Sequence, residues 1–120
     1  MLSLRDTGIL HVADDVVRSA TGLAGGGGGQ KQVCGAVIGG IQAIGLKYGR
    51  VERWAEKTQA MESSGRLIEE FRERFETISC QQLVRDFPGF DSPERKEHCA
   101  RFVAFVAEWL EPTLKGREKA

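Results

Sequence analysis

The chain has 120 residues, with 17 basic and 17 acidic side chains and a formal net charge of zero. This length predicts one domain, which we expect to span residues 1–120. The balanced, scattered charge excludes a nucleic-acid binder, whose affinity depends on concentrated Lys and Arg. No stretch reaches the roughly 18 apolar residues of a membrane span. The first residues lack a signal-peptide layout, so a cytoplasmic location is expected.

The first half of the chain predicts two helices joined by a glycine-rich turn. Residues 1–8 are expected to be a loose start. Apolar residues recur every three or four positions over Ile9–Leu23, which predicts the first helix. The turn follows at Ala24–Gln32. The second helix is predicted over Val33–Tyr48, with Gly49 as a left-handed stop. Its predicted apolar face consists of Cys34, Val37, Ile38, Ile41 and Ile44.

The second half predicts two long helices and a short one. The third helix is predicted over Val51–Phe75, with Trp54 and Met61 on a buried stripe. Ser79 is expected to cap a short helix beginning at Cys80.

Ser92-Pro93-Glu94 predicts the start of the last helix, because it combines a capping hydroxyl, a proline at the first helical position and an acidic residue in the first turn. It is predicted to end near Glu111, before Pro112, and residues 113–120 are expected to form a loose tail. Its predicted inner face consists of Cys99, Phe102, Val103, Val106, Trp109 and Leu110. No segment alternates with the period of a strand. The predicted fold is therefore an all-α, single-domain bundle of four main helices plus one short helix.

Five consecutive glycines, Gly25–Gly29, interrupt the pattern at high conformational cost. They match neither a phosphate loop, because Lys31 comes one place late, nor a dinucleotide fingerprint, because no strand precedes them. Three interpretations stay open: a tight bend between packed helices, a loop giving access to the sulfur of Cys34, or backbone close to a bound cofactor. The cofactor interpretation predicts contacts from Gly26, Gly27, Gly28, Gly29 and Gly35.

The three cysteines are the candidate reactive residues. Cys34 and Cys80 fall at or near predicted helix starts, where free amides and the helix dipole favour the thiolate. Cys99 is expected two turns inside the last helix, on its core face. Their long spacings match no CxxC-type metal motif. From the residues alone, a shared thiol site and inert buried thiols both stay open.

The order of motifs resembles a known family. Residues 34–39 match CGAxxG, and they are followed by LKYG, a cysteine before QQL and a third cysteine in the last helix. From Val12 to Leu110 the chain resembles the C_GCAxxG_C_C family of redox-active proteins. The resemblance implies that Cys34, Cys80 and Cys99 are the second, third and fourth of four family cysteines. The first has no counterpart here, and no CxxCH haem attachment is present.

Three hypotheses follow. The first is a cytoplasmic thiol-based redox protein with an unidentified redox partner, in which Cys34 is the reactive thiolate, Cys80 resolves it and Cys99 completes the site. The second is a metal or iron–sulfur module that uses the same three sulfurs, with a fourth ligand from water, a histidine or a partner chain. The third is a helical interaction module with inert thiols, expected as a homodimer if apolar surface is exposed.

Overall fold

A computed structural model describes residues 6, 8, 11–87 and 92–115. The expected loose termini at 1–5 and 116–120 and the turn at 88–89 lie outside these residues. The fold is all-α, as predicted. The helices are α1 (Asp14–Ser19), a 3₁₀ turn (Thr21–Leu23), α2 (Gly35–Tyr48), α3 (Thr58–Phe75), α4 (Cys80–Leu83) and α5 (Pro93–Leu114).

Helix α2 is the centre of the bundle, because it packs against both α3 and α5. Its Val37 and Ile44 are fully buried, as are Leu67 of α3 and Leu110 of α5. Burying each such side chain stabilises the fold by about 1.5–3 kcal/mol. The apolar face predicted for the second helix is therefore the one that forms the core.

Four phenylalanines join α3 to α5 on one side of this core. The rings of Phe71 and Phe75 lie 4.8 Å apart, and those of Phe75 and Phe102 lie 4.9 Å apart, edge to face. Phe105 completes the group at 5.4 Å from Phe75. Each such pair adds about 0.5–1.5 kcal/mol beyond its buried area. The aromatic cluster thus fixes how α5 lies along α3.

Helix α5 is longer than predicted. It passes through Pro112 and ends at Leu114, so the predicted end at Glu111 is wrong. Thr113 and Leu114 are buried rather than part of a loose tail. The last turn of α2 explains this difference: Tyr48 Oη donates to the Thr113 carbonyl at 2.7 Å, and Lys47 Nζ donates to the Leu114 carbonyl. These bonds satisfy carbonyls that a helix end leaves open.

The first and second predicted helices are also shorter in the structure. Of Ile9–Leu23, the structure has α1 and the 3₁₀ turn, while residues 9 and 10 lie outside the described part of the chain. Gly49 is extended, with φ −72° and ψ 171°. It is not the predicted left-handed stop, because the chain leaves α2 in an extended conformation.

The third helix begins seven residues later than predicted, at Thr58. The Glu56 carboxylate accepts the backbone N–H groups of Lys57 and Thr58, at 2.8 and 2.6 Å, and thereby fixes the start. The predicted burial of Trp54 and Met61 is wrong, since they are 90% and 64% exposed. No helix among the described residues is long and apolar enough to cross a membrane.

Candidate functional site

The glycine run forms a left-handed loop that only glycine enters easily. All five glycines of Gly25–Gly29 have φ between 57° and 87°, a region that costs other L-residues about 1–2 kcal/mol each. The N–H groups of Gly27, Gly28 and Gly29 donate to carbonyls of residues 23, 22 and 24. Because these donors are used within the loop, they are not arranged as a phosphate cradle.

The loop leads into a short antiparallel pairing that brings two cysteines together. Val33 and Ser79 form an isolated β-bridge. The Cys34 N–H donates to the Ile78 carbonyl at 2.8 Å, and the Cys80 N–H donates to the Gln32 carbonyl at 2.7 Å. In this register both cysteines lie on the same face, diagonally across the pair. Such diagonal neighbours have Cα atoms about 7–8 Å apart.

The pairing also explains why α2 begins at Gly35 and not at the predicted Val33. Val33 is held extended by Ser79, and Cys34 becomes the N-cap of the helix. Ser79 caps α4 as predicted, accepting the Gln82 N–H at 3.4 Å. Each of the two cysteines therefore lies where an extended residue passes into a helix.

Two glycines allow this close approach. A Cβ atom on Gly26 would lie 2.8 Å from the Cβ of Cys80 and 2.6 Å from the backbone nitrogen of Gln32. A Cβ atom on Gly35 would lie 2.7 Å from the carbonyl oxygen of Leu23. All three distances are shorter than any side chain permits, so the loop backbone touches the cysteine segment directly.

Cys34, Cys80 and Cys99 all line one cavity of about 430 Å³. It lies between the loop, α2 and α5. Of the predicted cofactor-contacting glycines, Gly26 and Gly35 lie on its wall. Gly27, Gly28 and Gly29 are not among the described residues that line the cavity. The structure therefore brings together the three cysteines and two of the five glycines.

Burial decides the state of the Cys34 thiol. Cys34 is 7% exposed, and desolvation raises its pKa more than hydrogen bonds from the Ala36 and Val37 amides lower it. Negative charge on Cys80 or Cys99 would raise it further. The expectation that the helix start favours the Cys34 thiolate is therefore wrong, because desolvation outweighs the amides.

The other two thiols differ in exposure and in their charged neighbour. Cys80 is 6% exposed, whereas Cys99 is half-buried and is the most open of the three. Burial raises the pKa of Cys99, and the charge of Arg95 opposes that rise. All three cysteines are unpaired.

Arg95 is a candidate site residue that the sequence analysis missed. It lies in the first turn of α5, its backbone N–H donates to Ser92 Oγ at 3.1 Å, and only 6% of the residue is exposed. Its Nη2 donates to Cys80 Sγ at 3.9 Å. A cation at a helix start opposes the helix dipole. That unfavourable position is the signal in the sequence that could have marked it.

His98 holds α4 against α5. Its Nε2 lies 2.7 Å from the Leu83 carbonyl, and its ring stacks on Phe87 with centroids 4.6 Å apart. It neighbours Cys99 in sequence but does not line the cavity among the described residues. Its contacts make it an anchor that keeps Cys80 near Cys99.

Lining one cavity does not by itself make the three cysteines a metal site. Within residues 11–87 and 92–115, no three Cys, His, Asp or Glu side chains are grouped closely enough to hold a metal ion. The metal set of Cys34, Cys80 and Cys99 therefore stays a prediction.

The fold and the site define an all-α protein whose three cysteines meet at a cavity beside a left-handed glycine loop. The chain belongs to the C_GCAxxG_C_C family. The family described as "Putative redox-active protein (C_GCAxxG_C_C)" matches residues 3–113, which is almost the whole chain. The resemblance found in the sequence is thereby confirmed. No curated protein and no solved structure matches the chain.

Proposed function

We propose that this protein carries out thiol–disulfide redox chemistry with Cys80 and Cys34 as its reactive pair. The observation that carries the proposal is that the three cysteines line one cavity and that the Val33–Ser79 bridge holds two of them on one face. The family description supports a redox role in general terms. The mechanism and the cytoplasmic location belong to the proposal, and cytoplasmic reductants would keep the thiols reduced.

The charges around the sulfurs favour Cys80 as the nucleophile. A hydrogen bond from the Arg95 guanidinium stabilises negative charge on the Cys80 sulfur. Burial keeps the Cys34 thiol protonated, since it raises the pKa of that group. Cys34 is therefore assigned the resolving role. This exchanges the two roles expected from the sequence.

The reaction transfers two electrons. The Cys80 thiolate attacks one sulfur of a substrate disulfide, the substrate S–S bond breaks, and the leaving thiolate takes the proton of Cys34. The Cys34 sulfur then attacks Cys80 in the mixed disulfide, forms the Cys34–Cys80 bond and releases the second thiolate, which is protonated by solvent. The protein pair is oxidised and the substrate is reduced to two thiols.

Closing the Cys34–Cys80 bond requires a small backbone movement. Their diagonal register places the Cα atoms about 7–8 Å apart, whereas disulfides usually span about 4.4–6.8 Å. The Cys80 N–H donates to the Gln32 carbonyl, so Gln32 has to move with Cys80. Gln32 follows the glycine loop, and the loop can take up this movement. Cys99 is the most open thiol of the three, and we assign it the step that restores the pair. The Cys99 thiolate attacks the Cys34–Cys80 bond and forms a disulfide with one of the two sulfurs, and a dithiol partner then reduces that disulfide and is itself oxidised to a disulfide.

Mass mapping of oxidised protein tests the proposal. Mild oxidation with the thiol oxidant tetramethylazodicarboxamide is expected to yield an intramolecular Cys34–Cys80 disulfide that dithiothreitol reverses. Cys99→Ser is the matched control and should still form this bond, whereas Cys34→Ser should not. If the wild-type protein forms no intramolecular bond and each thiol reacts with the oxidant independently, the cysteines do not act as a redox pair. The helical interaction module would then be the correct hypothesis.

Metal binding by Cys34, Cys80 and Cys99 is the second candidate, favoured by the one cavity that all three cysteines line. It ranks second because no three ligand-type side chains in the described residues are grouped as a metal site. Protein purified without air would be analysed for zinc and iron and by absorption spectroscopy. A stoichiometric metal lost in Cys80→Ser would favour this candidate over the redox pair.

A further inference from the structure

The cavity beside the thiols suits a small organic molecule. Its volume of about 430 Å³ falls in the range of small-molecule sites, roughly 300–1,000 Å³. Away from the sulfurs, its wall is formed mainly by the apolar side chains of Ala36, Phe102, Val106, Ala107 and Leu110. An occupant would therefore need an apolar body to match most of this surface.

The open space extends along α2 at Gly39. Gly39 is buried and lines the cavity. Yet among the described residues no heavy atom lies within 4 Å of the position that its Cβ would take. A glycine inside a helix costs about 1 kcal/mol relative to alanine. Here that cost leaves room in the cavity that Cys34 and Cys80 also line.

One charge faces this apolar space. Among the described residues on the cavity wall, Arg95 is the one charged side chain. A guanidinium has five N–H donors in a planar fork that fits a carboxylate. Because Arg95 is itself buried and most of the wall is apolar, a negative group on a ligand would be attracted to Arg95. That group would lie close to the sulfur of Cys80, which Arg95 already contacts.

We propose that the substrate of this cavity is a small organic disulfide with an apolar body and a carboxylate that pairs with Arg95. This inference rests on the proposed redox function of Cys80 and Cys34. The disulfide accepts two electrons and two protons and leaves as two thiols, while Cys34 and Cys80 become a disulfide. A dithiol reductant then restores the pair, and in the assay dithiothreitol takes this part.

Three probes separate charge from size. They are the disulfide of mercaptohexanoic acid, the neutral diamide of the same compound, and the small disulfide of mercaptoethanol. Rates would be measured with dithiothreitol as reductant, after subtraction of the exchange that occurs without protein. The wild-type protein is expected to reduce the carboxylate about tenfold faster than the diamide, the difference that one charge-assisted hydrogen bond supplies.

The variant Arg95→Gln tests the residue that reads the charge. Removing the guanidinium also affects Cys80, so absolute rates will fall on every probe. The ratio of carboxylate to diamide cancels that effect, and it is expected to fall from about ten to about one. Arg95→Lys, which keeps the charge without the planar fork, should retain part of the preference.

The variant Gly39→Leu tests the space. Its side chain would fill the cavity next to the thiols and is expected to lower the rate on the mercaptohexanoic acid disulfide at least tenfold. Gly45→Leu is the matched control on the same helix, because Gly45 is exposed and has open surroundings among the described residues. If Gly39→Leu does not fold by circular dichroism, Gly39→Val takes its place.

The outcomes distinguish this inference from the proposed function. Equal wild-type rates on carboxylate and diamide, or a preference that survives in Arg95→Gln, would overturn the substrate class and leave the redox pair in place. No catalysed reduction of any probe, including the mercaptoethanol disulfide, together with no Cys34–Cys80 bond, would overturn the proposed function itself.

Discussion

Gly39 and Gly40 are adjacent in α2 and both are buried, yet their surroundings are opposite. A Cβ on Gly40 would lie 2.7 Å from Val106 Cγ1 and 2.9 Å from Leu67 Cδ2. A Cβ on Gly39 would meet no described heavy atom within 4 Å. Both glycines line the cavity, but the side of α2 at Gly40 is packed and the side at Gly39 is left open. Glycine serves close contact at one position and empty space at the next.

The largest effect is expected at Gly26, where the backbone of the glycine loop touches Cys80. Gly26→Ala would require a φ of 78° and would place its methyl within 3 Å of two backbone atoms and of Cys80. We expect a loss of about 3 kcal/mol or more in the free energy of unfolding. Urea unfolding measures it. The control is Gly28→Ala, which has a φ of 57° but no described atom within 4 Å. It should lose only about 1–2 kcal/mol.

The packed side is tested by Gly40→Ala. The added methyl would press on the side chains of Val106 and Leu67, and overpacking of this kind costs about 1–3 kcal/mol. Helix propensity returns about 1 kcal/mol, so a net loss of about 1 kcal/mol is expected in urea unfolding. A gain in stability would mean that the two sides of α2 are not different.

The open side is tested by Gly39→Ala, which should change stability in the other direction. The methyl enters empty space, so the helix-propensity term of about 1 kcal/mol acts without a steric penalty. The midpoint of urea unfolding should therefore rise. A fall comparable to that of Gly40→Ala would show that Gly39 is packed as tightly as its neighbour.

The pH dependence of stability tests the burial of Cys34. Its pKa in the folded protein lies above the ordinary value of 9.0. Above that ordinary value the unfolded chain loses a proton that the folded chain keeps. The stability from the buried neutral thiol is complete below about pH 9 and is lost as pH rises through the folded pKa. Cys34→Ala should reduce the slope of unfolding free energy between pH 8 and pH 10. An unchanged slope would contradict the burial.

The smallest effect is expected outside both regions, at the start of α3. The Thr58 hydroxyl and the backbone N–H groups of Thr58 and Lys57 lower the pKa of the exposed Glu56 carboxyl. The Thr58 amide resonance should therefore titrate below the ordinary value of 4.5 for glutamate. In Glu56→Gln that titration should disappear while the reactivity of the thiols stays the same. A Thr58 titration at the ordinary value would contradict the hydrogen bonds.

The apolar periodicity in the sequence was enough to predict the main helices and much of the core. Val37 and Ile44, predicted on the inner face of the second helix, are buried, and so are Phe102, Val106 and Leu110 on that of the last. Val103, predicted on the same face as these three, is 44% exposed, so that part of the prediction is wrong. The same periodicity misled at Trp54, because a helical pattern continues in the sequence after the helix itself has stopped. The exposed loop there is fixed by the Glu56 carboxylate, a local contact that periodicity does not record.

The site was less predictable because its geometry depends on contacts between distant segments. The cysteines could be found by type, but the bridge of Val33 to Ser79 is one residue pair and leaves no strand pattern. The raised pKa of Cys34 depends on burial by surrounding elements, whereas the sequence displays only the helix start. Arg95 looked like an ordinary charged residue on a helix, and its burial beside Cys80 is a tertiary feature.

The left-handed loop also has a consequence for stereochemistry. At Gly27 and Gly28 an L side chain would find open space, so what opposes alanine there is the sign of φ and not crowding. D-alanine prefers that sign and restricts the unfolded chain more than glycine does. A chemically synthesised protein with D-alanine at Gly27 should therefore be more stable than the natural chain. Among the amino acids that the ribosome incorporates, achiral glycine is the best available substitute for a D-amino acid at these positions.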